Sequence, residues 1–564
     1  MIMQIKSKHW LSIAAAILSL FNLLCFYSIR SMWSGIIAVL GQSSPYFLLG
    51  IIFVLSIVAT VRVLYRKNTL WVTSVILVLS SFFFAAECYI MSVTWNNYRY
   101  FIREFMLAFT ALLGAGLLVW LIFYYPKSRL ANSTAFRWAL VVAPLSIGII
   151  SVFHLVPNAI TTIPVVYAVG EEYQIVFTTR NQGTAWVTIG DKEYNDTYAG
   201  SRMSETTVHK ISVPMHALDA ADGYTIHTRS MLLRGPYSAW QGCTISEAYQ
   251  WRGVNTVDGL KYYAISDTHT DINAPANAAS YFGDQLDFLI CTGDTANWVD
   301  KPTDIKYFLK LAGKVTGGAV PVVYARGNHE TKGLLADELY RYVGAKGQDF
   351  YYTFRLQNIW GVVLDMGEDH GDDWSEFYGS SKFDAYRNDQ TAFLDEILKN
   401  RETEFDAPGV DYRLAVCHIP VTFQYRNDAH AEYKAAWIER LNQMKLTMMF
   451  GGHRHQLMYI DPAFEAGCEL IYHEAYAGYN GTKPDGYMTM AEFPAILVSR
   501  KSDIQGIHRT EKNGDKVFIG LAVSADDNTT TLQFTNQDHQ VVENIQSPWF
   551  SGVHYGNSIV VDNK

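Results

Sequence analysis

Five short apolar segments follow one another between Leu260 and His455, and each runs into a cluster of Asp, His, Asn or Gly. Leu260–Ser266 leads into Asp267-Thr-His269, and Phe288–Thr292 into Gly293-Asp294. Ala319–Ala325 leads into Arg326-Gly-Asn-His-Glu330, Tyr412–Cys417 into His418, and Leu446–Phe450 into Gly451-Gly-His-Arg-His455. Apolar runs this short read as buried strands, while Asp389–Lys399 and Tyr433–Leu441 between them are amphipathic at helical period. Strand, polar loop and helix in succession predict a layered α/β domain whose ligand-binding loops gather at the carboxyl ends of the strands.

The residue types in those loops suit a pair of divalent cations. Carboxylates and neutral imidazoles together favour Mn, Fe, Zn or Co over a thiolate site or an all-oxygen calcium site. A carboxylate shared by two ions can hold them ~3.5–4 Å apart, as two-metal hydrolysis requires. Gly293, Gly327, Gly451 and Gly452 let the backbone turn sharply beside the candidate ligands. Taken singly, Asp-x-His, Gly-Asp and His418 carry little information. Five in order, each after a strand, carry much more.

The rest of the chain differs sharply in composition. Before Val156, eleven Lys or Arg face two carboxylates, Glu87 and Glu104, a charge of +9. The whole chain holds 45 Lys and Arg against 54 Asp and Glu, so the remainder stands at −18. An acidic body of that kind would repel a phosphate backbone, which argues against nucleic acid as a partner. Five apolar runs in the basic part, near Trp10–Ile29, Tyr46–Val61, Leu70–Tyr89, Phe105–Tyr124 and Trp138–Val156, predict five transmembrane helices. Lys6, Lys8, Arg62, Arg66, Lys67, Lys127, Arg129 and Arg137 fall on one side, against Arg30, Arg99 and Arg103 on the other. The positive-inside rule then puts the amino terminus in the cytoplasm and everything after Val156 outside. Glu87 is expected at the outer interface, where its carboxylate can reach water.

From about Pro157 to Gln250 the pattern becomes alternating. Tyr173–Thr179, Thr184–Ile189, Val208–Val213 and Gly223–Thr228 read as strands separated by turn residues, predicting a small all-β sandwich. It has no catalytic cluster and is expected to serve as a spacer. The acidic stretch Asp365–Glu376, with six carboxylates and His370, reads as a loop, solvated in the plainer reading and, in the alternative, able to gate the metals or select a cationic substrate group. Arg426 is a candidate phosphate clamp. Cys291 and Cys417 read as buried hydrophobes, and nothing in the spacing requires Cys243 and Cys468 to pair.

The five signatures resemble the calcineurin-like metallophosphoesterase superfamily over roughly Leu260 to Tyr476, and the β segment loosely resembles the fibronectin-III-like domain of purple acid phosphatases. Position by position, the resemblance implies that Asp267, His269, Asp294 and His455 hold one metal. Asp294 would bridge to a second, completed by Asn328, His418 and His453. His329 matches the family's non-ligand histidine beside the scissile phosphate, expected to act as general acid while a metal-bridging hydroxide attacks phosphorus. In purple acid phosphatases a tyrosine three residues after the Gly-Asp aspartate binds ferric iron; here that position is Asn297. No tyrosinate charge-transfer band is therefore expected.

The expected fold is multi-domain: a helical membrane anchor over 1–156, a fibronectin-III-like sandwich over 157–250, a layered α/β metallophosphoesterase domain over 251–515, and closing strands with a tail over 516–564. The expected function is hydrolysis of phosphate esters by a dinuclear enzyme of the cell membrane, facing outward, with the lipid bilayer as a partner. Two alternatives remain open: phosphodiester or pyrophosphate hydrolysis on lipid or envelope-polymer headgroups, and a metal-binding envelope sensor without turnover. The complete ligand set argues against the sensor.

Overall fold

A computed structural model describes residues 157–198, 200–234, 239–377, 379–425, 430–453, 458–460, 486–488, 491–498, 518–526, 529–541 and 559–562, with 12–20, 22–23, 44–64, 75–76 and 79–80 of the amino-terminal part. The chain divides into two compact units, one of residues 1–158, 181–184 and 228–245, the other of 159–180, 185–227 and 246–564.

In the second unit the expected motif-bearing strands all form. They are β7 (Leu260–Ile265), β8 (Phe288–Cys291), β9 (Pro321–Tyr324), β12 (Tyr412–Cys417) and β13 (Met448–Gly451). The first three are parallel neighbours in one sheet, and the last two are parallel neighbours in another. The first sheet is closed on one side by β16 (Ile519–Ala525), β17 (Thr529–Asn536) and β18 (Ile559–Asp562), with β16 antiparallel to β7. The second sheet runs β10 (Tyr352–Leu356), β11 (Ile359–Leu364), β12, β13, β15 (Ala495–Leu497), β14 (Met458–Ile460).

Period-two alternation sorts the side chains of the second sheet between two cores. Leu414, Val416, Met448, Phe450 and Ile496 share a core with Tyr262, Phe288 and Val322 of the first sheet. Their neighbours Ala415, Cys417, Met449, Ala495 and Leu497 pack instead with Leu394, Trp437 and Ile438. Those last three belong to α4 (Phe383–Lys399) and α5 (Ala431–Gln443). On the first sheet, α2 (Asn273–Ala279) and α3 (Pro302–Thr316) supply Ala276, Ile305 and Leu309. Two sheets face to face with helices on their outer faces bury strands on both sides, which explains their continuous apolar runs.

The expected separate sandwich over 157–250 is corrected. A strand that the alternation pattern does not reveal, β1 (Val165–Val169), lies parallel to β9, with Val166 beside Pro321 and Tyr167 beside Val322. Its other edge pairs antiparallel with β2, a single long strand over Glu172–Ile189 where two were expected. The stretch also contributes β3 (Lys192–Asn195), β4 (Thr206–Pro214), β5 (Gly223–Arg234) and β6 (Ala239–Gln250), all within the sheet that carries β7 to β9. The physical sign was present in the sequence: Val-Val-Tyr-Ala-Val is apolar without alternation and every residue is buried, as an interior strand requires.

The expected helical membrane anchor, and the integral-membrane, outward-facing location built on it, are also corrected. Among the described residues no helix is long and apolar enough to cross a membrane. Parts of the first three apolar runs are described, the second of them by α1 (Ser44–Leu64). The fourth and fifth runs and Glu87 lie outside the described residues. An apolar run measures avoidance of water and does not by itself say what provides the shelter. Here Ala15, Ile52, Ala59 and Ile76 form a buried cluster. Beside it the Ser19 and Ser80 hydroxyls lie 2.7 Å apart, and Asn22 Nδ2 donates to the Ser80 carbonyl at 2.5 Å.

Candidate metal centre

The five polar loops meet where the carboxyl ends of β7, β8, β9, β12 and β13 converge. Backbone bonds knit them together: Asp267 N donates to Gly293 O, His269 N to Asp294 O, and Gly452 N to His418 O, at 2.9–3.0 Å. Asp267, His269, Asp294 and His453 all have positive φ, between 42° and 67°. That region is sparsely used by residues with a Cβ and costs ~1–3 kcal/mol each, so the surrounding contacts must enforce it.

Close approach explains the glycines. A Cβ on Gly327 would lie 2.2 Å from Asp294 Oδ1 and 2.7 Å from Glu330 Oε2, and one on Gly452 would lie 1.9 Å from Ser266 Oγ.

At the centre is Asp294, 2% exposed, whose Oδ2 faces three imidazoles: His418 Nε2 at 3.1 Å, His269 Nε2 at 3.9 Å and His329 Nε2 at 3.9 Å. Each ring is held by its other nitrogen. His418 Nδ1 meets Thr292 O at 2.6 Å, His269 Nδ1 meets Asn297 Oδ1 at 2.9 Å, and His329 Nδ1 meets Asn297 O at 2.8 Å. Partners on Nδ1 leave Nε2 to face the centre, as outer partners of metal-binding histidines do. Asn297, at the position of the purple enzymes' tyrosine, thus steadies two rings.

On the other side, His453 Nδ1 lies 3.0 Å from Asn328 Oδ1, and the His453 backbone N–H donates to Asp267 Oδ2 at 3.0 Å. Asp267 Oδ2 also accepts from Ser266 Oγ at 2.5 Å. Two combinations have ligand atoms close enough to hold a cation, His269 with Asp294 and His329, and Asp294 with His418 and His453. The donor set fits divalent cations. Adjacent ligands at right angles on one ion, each ~2.1 Å from it, lie about 3 Å apart, and the pairs Asp294–His418 and Asn328–His453 show 3.1 and 3.0 Å. By spacing alone, His329 is as close to Asp294 as His269 is. Exposure separates them: the side chain of His329 is 34% exposed and that of His269 11%.

The electrostatics are those of a cation site. Burial works against a charge on His418, but Asp294, with Asp267 and Glu330 behind it, outweighs burial and pushes the imidazole pKa up to about 10. Burial likewise penalises the Asp294 carboxylate, and the His418 and His329 rings override it to hold that group well below the usual range.

His455 and Arg426 lie outside the described residues, as does Cys468. Cys291 and Cys417 are buried, and their thiols are pushed up to about 12 by burial and by nearby Glu330 and Asp365, respectively.

Sequence reasoning passed over two features of the site. Glu330 is wholly buried and its carboxylate takes three backbone N–H groups: Asp294 and Gly327 on Oε2 at 2.9 and 2.7 Å, and Ala296 on Oε1 at 2.9 Å. It clamps the Gly-Asp loop to the Gly-Asn-His loop. Its signal was its place inside Arg-Gly-Asn-His-Glu. The second is the stretch read as a solvated acidic loop. Asp365 and Glu368 are each 1% exposed, and Asp365 Oδ2 takes Arg326 Nε at 2.7 Å. Nothing in the composition distinguished this loop from a surface one.

Residues 260–457 match the calcineurin-like phosphoesterase family. No match is found among curated proteins. Among solved structures, one described as PhoD is similar over 72% of this chain and 92% of its own, at 10% identity and a TM-score of 0.39. A Plasmodium protein described as GAP50, the anchor in the inner membrane complex, covers 53% and 88% at 12% identity and a TM-score of 0.31. A Streptococcus pneumoniae protein described as a predicted phosphoesterase covers 54% and 97% at 10% identity and a TM-score of 0.24. Residues 260–457 form a calcineurin-like phosphoesterase domain, and the chain is a metal-dependent phosphoester hydrolase.

Proposed function

We propose that the enzyme hydrolyses phosphate esters at a centre for two divalent cations. Asp267, His269, Asp294 and His455 would hold one cation, and Asp294, Asn328, His418 and His453 the other. The observation behind this reading is the convergence of three imidazole Nε2 atoms on one carboxylate oxygen. When bound, two divalent cations would neutralise phosphate charge and lower the pKa of a water so that it can act as nucleophile.

The chain's own residues do the rest. His269 and His418 are pre-oriented through Nδ1, so little ordering remains to be done when a ligand arrives. His329, the most exposed of the rings facing Asp294, can reach a substrate that the others cannot. With Nδ1–H donating to the Asn297 carbonyl, Nε2 is the ring atom left to face the leaving oxygen, and the imidazolium form of the ring can give its Nε2 proton to that oxygen, returning to the neutral Nδ1–H tautomer. Monoesters, diesters and pyrophosphates all suit this arrangement, since none of its groups depends on the number of ester substituents.

The test is turnover by the full chain with Mn²⁺ on aryl monophosphate, aryl diester and pyrophosphate. Hydrolysis of at least one is expected, abolished by a chelator. His329→Ala is expected to lower kcat by ~10²–10⁴-fold with bound metal retained. A chain that binds metal yet turns over none of the three would favour the sensor.

A further inference from the structure

The stretch after β11 reaches the centre through two consecutive carboxylates. Asn328 Nδ2 donates to Glu368 Oε1 at 3.0 Å, which turns the amide so that Oδ1 faces His453 Nδ1. The far nitrogen of that ring, His453 Nε2, lies 3.1 Å from Asp369 Oδ2. An ionised carboxylate can only accept, so Nε2 carries a hydrogen and Nδ1 can offer its lone pair. In the neutral ring two acceptors, Asn328 Oδ1 and His453 Nδ1, then face each other at 3.0 Å, an arrangement that repels unless a proton on Nδ1 or a bound cation comes between them.

The dipeptide is itself held firmly. Lys332 Nζ pairs with Glu368 Oε2 at 2.8 Å, and the Asp369 backbone N–H donates to Glu368 Oε1 at 3.0 Å. The wholly buried Arg387 of α4 ties down the loop backbone, with Nε to Met366 O at 2.9 Å and Nη2 to Glu368 O at 2.6 Å.

We propose that Glu368 and Asp369 are positioning residues: one dipeptide sets the amide orientation of Asn328 and the tautomer of His453, and so aims both donors at a single cation. This rests on reading Asn328 and His453 as ligands of one ion. Partners of this kind typically change metal affinity 10–100-fold when removed.

The test is calorimetric titration of the full chain, stripped by chelation, with Mn²⁺. Asp369→Ala and Glu368→Met are each expected to weaken one of two binding events by ~10–100-fold, to leave the other unchanged, and still to fill at saturating Mn²⁺. Asp369→Asn keeps an acceptor oxygen for Nε2–H and is expected to lose clearly less than Asp369→Ala. Unchanged affinity in Asp369→Ala overturns the proposal. So does equal loss in the Asn and Ala variants, which would mean that charge alone matters. Permanent loss of one ion in Asp369→Ala also overturns it, because Asp369 would then be a ligand. Should Glu368→Met not fold, the half-buried Asp369 variants decide. His453→Ala and Asn328→Ala separate the two layers. If they bind Mn²⁺ like the parent, the ligand assignment fails and takes the proposal with it. If they lose an ion while Asp369→Ala does not, the positioning role alone fails.

Discussion

Asp294 Oδ2 lies 3.1 Å from His418 Nε2, with the two side chains 2% and 1% exposed. Burial penalises both charges, yet each stabilises the other, so the His418 imidazole is pushed up to about 10 and the Asp294 carboxyl is held well below its usual range.

In the metal-free chain the raised His418 contributes stability that is complete below its unfolded value, near 6.5, and is lost as pH rises through about 10. A cation taking Nε2 must displace that same proton. Two opposite trends follow. The melting temperature of the chelator-treated chain is expected to fall from about pH 7 to about pH 9, while the increment produced by Mn²⁺ grows. Thermal melts with and without Mn²⁺ across that range check both. An increment that shrinks with rising pH would count against His418 as a ligand.

Gly452 has no room for a methyl group. The added Cβ would sit 1.9 Å from Ser266 Oγ and 2.8 Å from Asp267 Oδ2, and would displace the hydroxyl that donates to Asp267. Gly452→Ala is expected to destabilise the fold by ~1–3 kcal/mol, the range for overpacking a filled site, and to weaken Mn²⁺ binding. Adding Ser266→Ala removes the nearest atom, so the double variant should recover part of the melting temperature. No recovery would place the clash elsewhere, at Asp267 or the backbone.

How far the sequence disclosed this architecture depended on what each residue's neighbours were. The motif strands and their loops were legible because short apolar runs ending in ligand-type residues have few other meanings. Tyr412–Cys417 was located to the residue. Beyond them, β1 was missed because only a partner from another part of the chain, β9, makes its five apolar residues an interior strand. Glu368 and Asp369 were read as solvated because a carboxylate's burial is set by Arg387, Lys332, Asn328 and His453, which stand elsewhere in the sequence. The apolar runs before Val156 were read as membrane-spanning helices, and among the described residues no helix is long and apolar enough to cross a membrane; hydropathy reports avoidance of water without saying what provides the shelter.

Asn297 holds His269 by its side chain and His329 by its main chain. Asn297→Ala therefore releases only the first ring. The expected result is a ~10-fold or greater loss of Mn²⁺ affinity with the alkaline limb of the pH–rate profile, the limb on which a general acid is lost, unmoved, because the carbonyl that fixes His329 remains. Titration with Mn²⁺ and a pH profile at saturating metal distinguish the two effects. A shifted alkaline limb would mean that the Asn297 side chain acts on His329 as well.

Glu330 offers the strictest test of how the loops are held. Its two oxygens accept from Asp294, Gly327 and Ala296 N–H groups, and no water can replace them at a wholly buried position. Gln preserves the shape but turns one acceptor oxygen into an NH₂ group, so at least one backbone donor must face another donor. Leaving a buried donor unsatisfied costs ~1–3 kcal/mol, and more where the lost partner was charged. Glu330→Gln is thus expected to lower stability to chemical denaturation by at least that amount. It should also loosen the Gly-Asp loop, so that Mn²⁺ affinity falls even though Glu330 faces backbone rather than the centre. Glu330→Asp retains the charge but shortens the reach, and should fail to span from Gly327 to Ala296, giving a comparable loss. Denaturant melts and Mn²⁺ titration of the two variants make the comparison. If Glu330→Asp matched the parent in both, charge rather than the three-point clamp would be what joins these loops.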